Sequence, residues 1–324
     1  MKFPRLLVLG VLLGAVAGYV VTGGTAEKSD LATPLQAATV AAASVVDGAR
    51  LLDDVRTLAA DEFGGRRTGT AGSQKAQAFL QRRFEALGLK PFGAAHAQPF
   101  AFTANKTAYP SAVNYVGYIA GSALPQRFIV VSAHYDHLGD KGGKLHPGAD
   151  DNASGVAAML AIAQWFKAHP PRHTIVFAAF DGEEQGLQGA RAFLAALPFP
   201  KAQLALNLNL DMVSRNERNE IFVAGTRYNP SLIPLVAEAA ARSTVGVKLG
   251  HDLPQQKGTT DDWTHSSDHG PFHQAGVPFL YFGVEDHADY HGPGDTFARI
   301  EPAFFTSVAN LLVDVAATLD ANLK

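Results

Sequence analysis

Residues 173–180, His-Thr-Ile-Val-Phe-Ala-Ala-Phe, form a nearly unbroken apolar run. A strand read this way has both faces buried, which is the condition of a parallel sheet covered by helices. The run ends directly in Asp181-Gly-Glu-Glu-Gln-Gly186, so a buried strand delivers a knot of acids to its carboxyl end. Strand and helix patterns alternate around it. Further strands are predicted at residues 112–119, 128–133, 204–210, 221–224 and 278–282. Helices are predicted at 73–87, closed by Gly88 as a C-terminal cap, and at 156–168, 186–197, 231–241 and 301–319. The stretch 35–60 suits one or two further helices, and 62–72 reads as a loop. From about residue 110 onward the alternation argues one α/β domain with a largely parallel central sheet, running over residues 35–324.

The first 26 residues stand apart. Lys2 and Arg5 precede an uncharged stretch, Leu6 to Val21, followed by the small residues Gly23 to Ala26. This is the layout of a secretory signal peptide. An uncleaved membrane anchor is the other reading, although the stretch falls short of the roughly 17–25 apolar residues that span a bilayer. Either way the sequence predicts export, to the periplasm or beyond, with contact to a membrane only if the segment is retained. Residues 27–34 read as a linker.

Charge and cysteine content narrow the chemistry. A net charge of −3 lacks the basic footprint of a nucleic-acid binder. With no cysteine in the chain, disulfides, thiolate metal sites and cysteine nucleophiles are excluded. Any metal site must use His, Asp and Glu. Histidines and acids gather in five segments near the ends of predicted strands, where ligands bind in open α/β sheets: Ser132-Ala-His-Tyr-Asp-His-Leu-Gly139, Gly148-Ala-Asp-Asp-Asn-Ala-Ser-Gly155, the acidic turn 181–186, Leu206 to Met212 with Asp211, and Asp286 to Thr296 with Tyr290 and His291. Each alone reads as well as a polar turn or a helix cap. Two adjacent acids at 150–151, and three acids within four residues at 181–184, repel one another unless cations offset them.

Taken in order, His-x-Asp, Gly-Ala-Asp-Asp-x-x-Ser-Gly, Gly-Glu-Glu, Leu-Asp-Met and Tyr-His-x-x-x-Asp-Thr resemble the co-catalytic zinc aminopeptidases. These share a superfamily with glutamate carboxypeptidase and the secreted glutaminyl cyclases. The resemblance covers roughly residues 62–320 and includes Arg67-Thr-Gly-Thr-Ala-Gly72. It implies a three-layer hydrolase-like fold with a single catalytic domain and two zinc ions. By position it implies His134, Asp151, Glu184, Asp211 and His291 as metal ligands, with Asp151 bridging and Asp136 orienting His134. Glu183 resembles the general base and Tyr290 a phenol that stabilises the oxyanion. His137 reads as structural or pocket-lining, and Ser267-Asp-His269 carries no assigned role.

The implied activity is hydrolysis of N-terminal residues from peptides with a free amine. The alternatives are a single-zinc glutaminyl cyclase, or a dipeptidase or carboxypeptidase of the same fold. Only a short turn separates strands 112–119 and 128–133, so the protease-associated insertion of larger relatives is absent between them. The polar stretch 246–273 is expected to wall the substrate pocket, with Trp263 and Phe272 as apolar contacts.

Overall fold

The computed structural model describes residues 33–39, 43–252 and 261–324, all within one compact unit, Leu31–Lys324. The expected signal or anchor, and the linker up to residue 32, lie outside the described residues. In chain order the strands are β1 (Thr33–Pro34), β2 (Ala97–Ala104), β3 (Thr107–Ile119), β4 (Leu124–His134), β5 (Gly139–Lys141), β6 (Lys144–His146), β7 (His173–Phe180), β8 (Leu204–Leu210), β9 (Glu220–Ala224), β10 (Gly246–Leu249) and β11 (Phe279–Gly283). The helices are α1 (Gly48–Leu58), α2 (Ala71–Leu87), α3 (Gly155–Ala168), α4 (Gln188–Ala195), α5 (Ile233–Ala240), α6 (His269–Gln274) and α7 (Pro302–Asn322).

Nine strands make one sheet in the order β1-β10-β9-β11-β8-β4-β7-β3-β2. Its centre, β11-β8-β4-β7, is parallel, as the apolar run at 173–180 predicts. The flanks are where the sheet turns mixed: β3 runs antiparallel to β7 and β2 to β3, and β9 runs antiparallel to β11. The β2–β3 connection forces its own direction. Asn105 and Lys106 both have positive φ, the backbone of a tight hairpin turn whose twist suits antiparallel strands.

Alternation along β4 and β7 sorts the core into two layers of packing. Ile129, Val131, Ala133, Ile175, Phe177 and Ala179 join the cluster built with α1, α2, α3, α5 and α7. Val130, Val176, Ala178 and Phe180 face Phe193 of α4 and Phe272 of α6. Helices thus cover both faces, giving three layers with the sheet in the middle.

Two expectations shift. Residues 35–39 are not helical; Leu35 and Ala38 donate their amides to Val247 and Ser243 carbonyls at 2.8 and 2.7 Å, so this stretch is tied to the strand edge instead of to itself. Among the described residues helix begins only at α1, where the Asp47 carboxylate caps the Arg50 amide. The stretch 62–72 is also more ordered than a loop, with a tight helical turn over Asp61–Arg66.

At the amino end of β7, Asp320 of α7 accepts the amides of Arg172 (2.8 Å) and His173 (2.7 Å) and lies 3.0 Å from His173 Nδ1. Losing a buried acceptor strands its donors at about 1–3 kcal/mol each. Asp320→Ala is expected to lower unfolding stability by about 2–3 kcal/mol, read as a denaturant midpoint, while leaving catalytic constants unchanged.

Candidate metal centre

The carboxyl ends of β4, β7 and β8 lie side by side. His134 is opposite Phe180 in the register of β4 and β7, and Ser132 is opposite Asn209 in that of β4 and β8. Two residues further along, His134 and Asp211 must therefore meet, and His134 Nε2 is 3.3 Å from Asp211 Oδ1. The same nitrogen is 3.4 Å from Asp151 Oδ1. The other oxygen of Asp151, Oδ2, lies 3.2 Å from His291 Nε2, which is 3.4 Å from Glu184 Oε2. All five expected ligands therefore converge, in two groups that share Asp151.

The distances suit zinc. With metal–ligand bonds of about 2.0–2.1 Å and tetrahedral angles, neighbouring donor atoms lie roughly 3.3 Å apart. The observed separations run from 3.2 to 3.4 Å, and imidazole with carboxylate is a donor set zinc accepts. Glu183 groups with His134 and Asp211. Among the described residues no lysine or arginine pairs directly with these acids, and burial pushes Glu183 and Asp136 well above the carboxylate range and Glu184 upward. Burial alone would lower the pKa of His134, but the Asp211 and Glu183 carboxylates outweigh it and hold it well above its ordinary value. Such a cluster is short of positive charge, which metal ions supply.

A second set of side chains holds these donors in position. The Asp151 segment, a wide helical turn over Ala149–Ser154, is pinned from three sides. Asp295 accepts the amides of Asp150 and Asp151 at 2.9 and 3.0 Å. Asn152 Nδ2 donates to the Leu210 carbonyl at 2.9 Å. The fully buried Arg66 donates to the carbonyls of Pro147 (2.6 Å), Gly148 (2.8 Å), Tyr135 (2.7 Å) and Leu58 (2.8 Å), tying the His134 and Asp151 loops to the end of α1. Asp150 is spent on Ser214, whose amide and hydroxyl it accepts at 2.8 and 2.6 Å, consistent with its being the neighbour of a ligand.

Asp136 does something other than expected. His134 Nδ1 is 3.1 Å from the Asp136 backbone carbonyl, while the Asp136 carboxylate is 3.9 Å away. That carboxylate instead accepts the amides of Glu183 (3.1 Å) and Glu184 (3.4 Å). It therefore orients Glu183 and Glu184, and its main chain orients the histidine.

The cleft above the donors has a volume of about 370 Å³ and is lined also by Leu187, Met212, Arg191, His265, Ser266 and Tyr290. Tyr290 stacks on His291, with ring centroids 4.0 Å apart. The stretch 246–273 contributes His265 and Ser266 to this wall, but not the two side chains expected. Trp263 stacks on His251 at 3.7 Å, and Phe272 is buried with Phe180 and Phe193. Apolar side chains on a segment that folds back over the sheet are drawn into its core. Residues 253–260 lie outside the described residues.

Of three further buried groups, Arg66 has no sequence signal, while His137 reads as structural or pocket-lining and Asp268 lies in a segment with no assigned role. Both oxygens of Asp268 lack a hydrogen-bond partner, and burial lifts its carboxyl to about 7. Arg66 meets most of its partners across long sequence separations, so spacing alone does not reveal it.

The aminopeptidase YwaD of Bacillus subtilis is 32% identical over 206 residues, 60% of this chain and 41% of that protein. The chain spans less than half the length of the curated relatives it matches. Among solved structures, a leucine aminopeptidase precursor from Bacteroides thetaiotaomicron superposes with a TM-score of 0.69 at 19% identity, covering 88% of this chain and all of the other. A glutaminyl cyclase from the same organism gives 0.68 at 19%, covering 86% and 99%. At these identities the likeness is one of fold. The sequence profile of peptidase family M28 matches residues 114–316, well over half the chain and the span that holds every donor described above, and the chain belongs to that family.

Proposed function

We propose that the protein is an aminopeptidase that uses two zinc ions to release N-terminal residues from peptides. The observation that carries this reading is Asp151, whose two oxygens face different donor groups at 3.4 and 3.2 Å. One ion would be held by His134, Asp211 and Asp151, the other by Asp151, Glu184 and His291. When bound, zinc supplies Lewis acidity that polarises a carbonyl oxygen and acidifies a water.

The remaining work falls to side chains. Glu183, grouped with His134 and Asp211, accepts a proton from the attacking water and returns it to the leaving amine. Burial, with Asp268 and Asp211 nearby, raises its affinity for that proton. Asp136 keeps the 183–184 backbone fixed through its two amide bonds. Tyr290, kept protonated by burial and by the Asp151 carboxylate, can donate to the oxygen that gains charge. Carboxylates at the floor of the cleft suit a free α-ammonium, and Leu187 and Met212 in its wall suit an apolar first side chain. The N-terminal pattern of Lys2, Arg5 and the uncharged Leu6–Val21 stretch favours export.

A panel of aminoacyl-anilides, their N-acetylated forms and a glutaminyl peptide tests the reading, each with and without chelator. Hydrolysis only of substrates with a free amine, abolished by chelator and restored by zinc, is expected. Cleavage of the blocked substrates, or activity indifferent to chelator, overturns it. Cyclisation of the glutaminyl peptide without anilide hydrolysis identifies a glutaminyl cyclase instead.

A further inference from the structure

His137 follows the expected ligand His134 by three residues and is wholly buried. Its Nδ1 lies 2.7 Å from Glu184 Oε1 and 3.6 Å from Asp151 Oδ2. A nitrogen and a carboxylate oxygen this close would ordinarily be joined by a hydrogen bond. Here the N–H direction misses: both ring nitrogens of His137 and Glu184 Oε1 are buried without any hydrogen-bond partner. Orphaned buried polar atoms are costly, and two of these, His137 Nδ1 and Glu184 Oε1, face each other. A cation between the ring and the carboxylates would satisfy His137 Nδ1 and Glu184 Oε1 together, parting them from 2.7 Å toward the roughly 3.3 Å of two donors on one zinc ion. His291 approaches the same two carboxylates, and the two imidazole rings sit 5.9 Å apart at their centroids.

We propose that His137 is a fourth protein ligand of the second zinc ion, alongside Asp151, Glu184 and His291. The inference rests on the two-zinc reading above and deepens it. A zinc ion with four protein donors is closed, as structural zinc sites are, whereas one with three keeps a position for water or substrate. The two ions then differ in kind. The second, held by His137, Asp151, Glu184 and His291, would be saturated by protein and would exchange slowly. The first would be held by His134, Asp211 and Asp151 and would keep a position for water or substrate beside Glu183, which groups with His134 and Asp211.

The test begins with the wild-type holoenzyme. Metal analysis after gel filtration should give two ions per chain; a single ion overturns the two-zinc reading itself, before His137 is touched. In the enzyme fully loaded with cobalt(II), proton NMR should show three shifted, solvent-exchangeable imidazole N–H signals, from His134, His137 and His291. Two such signals overturn the proposal without any variant. His137→Gln and His137→Ala, checked for folding by circular dichroism, should each keep one ion and lose the other at chelator concentrations at least about 100-fold lower than wild type requires. The visible cobalt spectrum should change as well. A variant that folds, keeps both ions within threefold of wild-type affinity and has an unaltered cobalt spectrum leaves His137 as packing only, and the proposal is wrong.

Discussion

Glu183→Gln is expected to lower kcat on aminoacyl-anilides by roughly a thousandfold, within the range a positioned general base contributes, with both ions retained. The argument is geometric and electrostatic. Gln fills the same volume and leaves the ligands His134 and Asp211 in place, but it cannot take a proton. Because burial and the neighbouring Asp268 and Asp211 disfavour the charge on Glu183, neutralising it also relieves repulsion. The metal-free variant should therefore melt higher than the metal-free parent. Metal analysis, steady-state kinetics and thermal melting read the three parts separately. Activity within tenfold of wild type would remove Glu183 from the role of base.

The second large effect is expected on stripping the ions. Activity should vanish, and the stability of the stripped protein should fall as pH rises from 6.5 to 8.5. Asp268 and Asp295 are lifted by burial from 3.8 to about 7, and His134, Glu183 and Asp136 are raised further. In this window the unfolded chain has released protons that the folded chain still holds, so stability declines with increasing pH. A carboxyl lifted from 3.8 to about 7 takes on the order of 4 kcal/mol from folding stability between acid pH and pH above 7. The buried His137 and His269, pushed down to about 3 and 4 by burial, act in the opposite sense only below about 6.5, their ordinary value. Above that pH they are neutral in both states and drop out. Zinc requires ionised donors, so the gap in melting temperature between loaded and stripped protein should widen across the same range. Parallel melting curves for the two forms would contradict the assignment of these acids to a metal site.

What the sequence makes legible follows from local pattern. The limits of β7 and β8 are readable to the residue because an apolar strand is interrupted abruptly by polar turns at both ends. The convergence of His134, Asp151, Glu184, Asp211 and His291 is anticipated because the family motifs keep their order even where each fragment is ambiguous. Other parts leave little local trace. In β2, Pro99 sits within an edge strand and masks the alternation. β10 is four residues long and is defined only by its partners β1 and β9. Asp136 was readable as part of the site, but its hydrogen bonds to the 183–184 amides depend on how two strand ends meet. Arg66, whose four carbonyl partners lie on α1, the His134 loop and the Asp151 loop, is invisible to any pattern along the chain.

The Asp295 carboxylate that holds the amides of Asp150 and Asp151 has a consequence in time. His134, His137, Asp151 and Glu184 all precede β11, while Tyr290, His291 and Asp295 follow it. A chain made from its amino terminus exposes the first donors early, but the loop that completes them has no seat until β11 has docked beside β8. The candidate site is thus completed only by residues that follow β11. A chain interrupted before β11 has neither His291 nor the Asp295 carboxylate that braces the Asp151 segment, so the donor cluster stays incomplete until that segment has folded.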